Sequence, residues 1–211
     1  MLFRNKYRIE SARLAGWDYS APGFYFLTVC THDRGNLFGE IIDDKMVRNN
    51  LGQIVFEEWG KSFEIRRELV QDEFVVMPNH FHGIVRLVDI GDHIDVDVVP
   101  VETSGRTSLQ REKHQKPKCS PRIRPKSISS FMAGVKSVIT KRINVTRNTL
   151  SAPVLQPRFH DHIIRDNKEL FRIRQYIKNN PANWGKDKFN AGSRNSVREN
   201  DAEYEHEIRM T

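Results

Sequence analysis

The chain has 211 residues, with 34 Lys and Arg against 27 Asp and Glu, a net charge of +7 and a pI near 9.5. That length supports one folded core with appendages rather than two domains, and the basic excess points to a polyanionic partner, nucleic acid first. Its apolar stretches are short, Phe24 to Cys30 being typical, against the roughly 20 residues that span a bilayer, so no membrane insertion is expected. The amino terminus, Met1-Leu-Phe-Arg, lacks the apolar stretch of a signal peptide, and only Cys30 and Cys119 could form a disulfide. The expectation is a cytoplasmic, nucleoid-associated chain with reduced thiols.

Phe24-Tyr-Phe-Leu-Thr-Val-Cys30 follows a Pro22-Gly23 break, is aromatic and β-branched, and reads as a strand buried on both faces. From Leu51 to about Arg66, Leu51, Val55, Trp59 and Phe63 recur every fourth residue, the stripe of an amphipathic helix behind an Asn50 cap. Glu73-Phe-Val-Val-Met77 and His80 to Val88 are apolar runs separated by Pro78-Asn79, a hairpin signal.

A charged insert follows at about 89–126. Residues 89–103 carry five acidic side chains and no Lys or Arg, whereas residues 104–126 carry eight basic side chains against Glu112 alone, with Pro117, Pro121 and Pro125. Such a segment has too few apolar residues to bury a core. It reads either as a solvated linker or as a basic arm that adds phosphate contacts.

Beyond the insert, Ile128, Phe131, Met132, Val135, Val138, Ile139 and Ile143 mark a second helix to about Asn144. A strand is expected over Val154 to Ile164. Asp166 with Glu169 three residues on resembles a capping box, Leu170, Ile173 and Ile177 supply the buried stripe of a third helix, and Pro181 ends it. Strand, helix, hairpin, helix, strand, helix is the order of an α+β fold with an antiparallel sheet, not a doubly wound parallel one. Residues 127–195 hold 13 basic and 4 acidic side chains, which makes this half the expected anion-binding body. The sequence contains no Gly-rich phosphate loop and no Cys-Cys metal spacing.

Three groups could carry chemistry. His80 and His82 alternate on an expected strand, so both imidazoles project to one face and can meet one cation; taken alone, the pair reads first as hydrogen-bonded or surface histidines. Tyr176 and Asn180 lie about 40° apart at the edge of the third helix's apolar stripe, where a phenol could act as nucleophile and an amide oxygen could join a metal; taken alone, Tyr176 reads first as a tyrosine at the core margin. A second His-x-His, His160 and His162, is flanked by Arg158 and Arg165, which favours phosphate contact or structural hydrogen bonding over a second metal site.

Together the stretches 13–20, 23–31, Asp72-Glu-Phe-Val-Val-Met-Pro-Asn-His-Phe-His-Gly-Ile-Val85, 131–144 around Lys136-Ser137, 158–165 and Tyr176-Ile-Lys-Asn-Asn-Pro181 resemble the single-tyrosine HUH-type transposases, in particular the REP-associated tyrosine transposases. The resemblance covers most of residues 7–185, and the Met-Pro-Asn-His-x-His and Tyr-Ile-x-x-Asn-Pro blocks, in that order, are its specific part. It implies a ferredoxin-like sheet in a single domain at 1–185, followed by a polar tail at 186–211. It further implies His80 and His82 as metal ligands with Asn180 as the third, a divalent ion (Mg or Mn), and Tyr176 as a nucleophile forming a 5′-phosphotyrosine. The implied substrate is single-stranded DNA carrying small REP-like hairpins; a homodimer is left open. Candidate DNA contacts are Arg8 and, in the basic half, Lys136, Arg158, Arg165, Arg172 and Lys178. Two other readings stand beside this one: a hairpin DNA- or RNA-binding protein that does not cut, and a metal-dependent phosphodiester hydrolase.

Overall fold

The computed structural model describes residues 14, 16–89 and 124–190; Arg8, most of the expected charged insert and the chain beyond 190 lie outside the described residues. Strand β1 (Gly23–Cys30) leads into a small hairpin, β2 (Gly39–Ile42) and β3 (Lys45–Arg48), then helix α1 (Asn50–Ile65), strands β4 (Leu69–Val76) and β5 (His80–Leu87), helix α2 (Ile128–Thr146), strand β6 (His160–Ile164) and helix α3 (Asn167–Asn179). The main sheet has the order β4-β5-β1-β6, every pairing antiparallel. This is the expected α+β fold, with the strand order of a ferredoxin-like split βαβ.

The two faces of the sheet have different cores. Tyr25, Leu27 and Val29 of β1 join Phe81, Val85 and Leu87 of β5 beneath α1 and α2. Trp59 is central there: its indole stacks on Phe74 with centroids 4.6 Å apart and meets Phe81 and Phe131 edge-on. Gly83 of β5 exists because of this ring, since a Cβ at that position would come within 2.4 Å of the Trp59 indole. On the opposite face Phe26, Ile84 and Ile164 pack under Leu170, Ile173 and Ile177 of α3. Each such aliphatic side chain contributes about 1.5–3 kcal/mol by leaving water, enough to seat α3 on the face where His82 projects.

Local differences from the expected elements have clear causes. The cap of α1 is Asn49, not Asn50: its backbone is extended and its side chain accepts from the Leu51 and Gly52 amides, while Asn50 is already helical. The expected strand over 154–164 is broken. Leu155 makes an isolated bridge with Thr31 and only His160–Ile164 pairs with β1; Pro157 lies between them and has no N–H for a ladder. The β2–β3 hairpin was not expected. It turns on Asp43 and Asp44, both at positive φ (49° and 59°), the backbone of a two-residue hairpin turn. Among the described residues no helix is long and apolar enough to cross a membrane.

Candidate active site

Strand alternation brings His80 and His82 to one face, and both are fully buried. Their Nε2 atoms lie 3.0 Å apart, the spacing of two nitrogen donors that share one ion at about 2.1 Å each and at right angles. Each ring is oriented through its other nitrogen. The Asn79 amide nitrogen donates to the carbonyls of Arg34 (2.9 Å) and Phe189 (2.6 Å), so Asn79 Oδ1 is the atom facing His80 Nδ1 at 2.8 Å. An amide oxygen only accepts, which puts the His80 proton on Nδ1 and its lone pair on Nε2. His82 Nδ1 meets the Thr28 hydroxyl at 2.8 Å, across the β1–β5 register.

A hydroxyl can donate or accept. Thr28 can therefore serve either tautomer of His82, donating to a bare Nδ1 or accepting from a protonated one, and the second would leave the Nε2 lone pair free for a cation. Burial keeps both imidazoles neutral: it drives the His80 pKa down to about 3, helped by Lys188, and pushes His82 well below the usual histidine range. Neutral imidazoles are the form a metal binds.

Helix α3 delivers Tyr176 to this pair. Its hydroxyl is 3.4 Å from His82 Nε2, and the two rings meet edge to face at 5.4 Å. Phe26 meets Tyr176 at a near-right angle and stacks on His82. One turn beyond, Asn180 is 3% exposed and its Oδ1 is a buried acceptor with no hydrogen-bond partner among the described residues, an oxygen of the kind a hard cation takes. Among the described residues no group of three or more His, Cys, Asp or Glu side chains is arranged to hold an ion.

The orientation of α3 is fixed on the outer strand. A register shift in β4 between Gln71 and Phe74 turns Asp72 and Glu73 out of the ladder. Arg174 pairs with Asp72 through two nitrogens and Lys178 pairs with Glu73 at 2.9 Å, so the two residues that flank Tyr176 at two positions either side are anchored to one bulge.

Residues past Pro181 cover the histidines, among them Asp187 and Phe189 from the stretch expected as a polar tail at 186–211. Trp184 and Phe189 pack on His80 with centroids at 6.1 Å and 4.6 Å. Asp187 Oδ2 lies 3.9 Å from His80 Nε2; with the imidazole neutral this is not an ion pair. Asn79 and Thr28, which orient the rings, were also missed. Asn79 sits inside the Pro-Asn-His block and was open to discovery; Asp187 and Phe189 follow no helical or strand pattern.

The candidate DNA contacts are scattered. Arg158 and Arg165 are exposed. Lys136 donates to the carbonyls of Gln156 (2.6 Å) and Pro157 (2.7 Å), Arg172 lies 3.8 Å from Glu169, and Lys178 is engaged by Glu73. His162 meets Glu169 at 2.8 Å, a structural bond at the start of α3, in keeping with the non-metal reading of the second His-x-His. Burial pushes the Cys30 thiol up to about 11, which disfavours its thiolate form.

No protein-family model matches the chain. It is 34% identical over 179 residues to an uncharacterized protein of Haemophilus influenzae, covering 84% of this chain and 91% of that protein. Among solved structures, a REP-associated tyrosine transposase bound to a REP hairpin superposes with a TM-score of 0.52 at 21% identity, over 83% of this chain and 76% of that one. The chain thus belongs to one family with the Haemophilus influenzae protein, and its fold is that of a REP-associated tyrosine transposase.

Proposed function

We propose that this protein is a metal-dependent single-stranded DNA transesterase of the transposase type, cutting and rejoining DNA beside small hairpins through a phosphotyrosine at Tyr176. The observation that carries the reading is the Tyr176 hydroxyl 3.4 Å from one of two buried, neutral imidazoles whose Nε2 atoms face each other. A half-buried tyrosine that only packs at a core margin has no need of such neighbours. The solved relative's REP hairpin supports hairpin DNA as the substrate class.

A divalent ion, Mg or Mn, held by His80, His82 and Asn180 would supply the charge that polarises the scissile phosphate. The rest is done by the chain itself. Thr28 and Asn79 hold the imidazoles in the ligating orientation. Phe26 and Phe189 keep water from the pair. Tyr176, fixed by α3, attacks phosphorus; the bond from its oxygen to phosphorus forms as the bond to the 3′-oxygen breaks, the phenol loses its proton and the departing oxygen gains one. A 5′-phosphotyrosine and a free 3′-OH result, and attack by a 3′-OH reverses the step. No nucleotide cofactor enters this balance.

The test is a labelled single-stranded hairpin incubated with Mg²⁺ or Mn²⁺, then denatured. A covalent protein–DNA adduct that disappears with chelator and in His80→Ala or His82→Ala, with hairpin binding retained, is the expected result. Free cut product with no adduct would instead mean hydrolysis, and a band shift without cutting would mean binding alone.

A further inference from the structure

On the face of α2 turned away from α1, a cleft of about 920 Å³ opens between the helix and the 148–159 loop. Its charged lining residues are both cations, Lys136 and Lys141, with Ser137 and Thr140 hydroxyls beside them on the helix. The opposite wall is pre-set. The Asn144 side chain donates to Ala152 O and accepts from the Thr149 hydroxyl, Lys136 holds Gln156 and Pro157, and Asn148 and Ser151 turn at positive φ.

Lys136 is half-buried, and burial depresses its pKa without any carboxylate among its causes. Among the described residues two of its three N–H donors are spent on carbonyls, which leaves one to meet a ligand. Residues 124–165 hold eight Lys and Arg against a single acid, the buried Asp161. Apolar surface completes the site: Leu150 is 98% exposed, Val145 is 74% exposed, and half-buried Phe159 also lines the cleft.

We infer that this cleft binds an unpaired nucleotide of single-stranded DNA, its phosphate on Lys136 and Lys141 and its base against Phe159 and Leu150. The volume lies within the about 300–1,000 Å³ of small-ligand sites, which suits one nucleotide and not a duplex. Base stacking on an aromatic with a cation on the backbone is the usual chemistry of single-strand binding. The inference rests on the nucleic-acid reading above and deepens it, by giving the flank of a hairpin a second point of attachment.

The test uses the full-length chain with Tyr176→Phe, so that binding is read without cutting. Anisotropy of a fluorescein-labelled DNA hairpin with unpaired flanks is followed over a salt series for Lys141→Glu, on an exposed position, and for Ser137→Tyr, which fills the cleft. Each variant is expected to weaken binding by about tenfold, and Lys141→Glu to reduce the slope of log affinity against log salt by about 0.7. A 5-iodouracil in the flank should photocrosslink to Phe159. Wild-type affinity and slope in both variants, or tighter binding of the RNA of the same sequence, would overturn the inference. Should Ser137→Tyr fail to fold, Lys141→Glu still decides it. Failure of the cleavage reading is seen separately, as absence of an adduct in the chain that retains Tyr176.

Discussion

Arg174 grips Asp72 with Nε at 2.8 Å and a terminal nitrogen at 2.5 Å, two residues before Tyr176 on α3. The Arg174 hydrogen bonds hold the Asp72 carboxyl below its ordinary value of 3.8, against the opposing effect of partial burial. A carboxylate with a depressed folded pKa stabilises the fold above its unfolded value, and that stabilisation is lost as pH falls through the folded value. Thermal stability should therefore drop as pH goes below about 4, and Asp72→Asn should remove that part of the dependence. Melting temperatures across this range check it; identical profiles for the two chains would mean the pair is idle.

Gly83→Ala should destabilise the protein by about 1–3 kcal/mol, the usual cost of overpacking. The new Cβ meets the Trp59 ring, which cannot retreat because Phe74, Phe81 and Phe131 surround it. Chemical denaturation of the two chains measures the difference, and a neutral effect would contradict the packing described.

Asn79→Ala strips the hydrogen bonds from two carbonyls and from His80 Nδ1 together. The expected loss is roughly 1–3 kcal/mol of stability and about 10- to 100-fold in metal affinity, as for other groups that orient a ligating imidazole. Calorimetric titration with Mn²⁺ reads the second quantity directly. Unchanged affinity would show that the ring needs no such support.

Much of this was legible in the sequence, for a physical reason. The stripes of α2 and α3 are imposed by burial on one side, and β5, buried on both faces, reads as a near-continuous apolar run, so the residue pattern carries all three. That His80 and His82 share one face follows from the period-two alternation of a strand. What the pattern could not carry were features made by long-range contact. The β2–β3 hairpin is short and largely exposed, so no apolar alternation marks it. Phe189 reaches His80 across more than a hundred residues of chain, and the bulge at Asp72 shows its purpose only once α3 lies over it.

Removing residues 92–123 and joining the ends with a short flexible linker should leave the fold intact. The segment has little apolar content, and the sheet and its helices are complete without it. DNA affinity should fall and its salt dependence flatten if the basic stretch contacts phosphates. An unchanged slope would leave it a linker.

Tyr176→Phe tests the central claim most directly. The change removes one oxygen at the margin of the α3 stripe, so stability should shift by about 1 kcal/mol at most, while cutting of the labelled hairpin should vanish. With Tyr176 in place, mass spectrometry of the adduct should find the nucleotide on the tryptic peptide Gln175-Tyr-Ile-Lys178. Cleavage by the Phe variant that leaves a free 5′-phosphate, or an adduct on any other residue, would contradict the account.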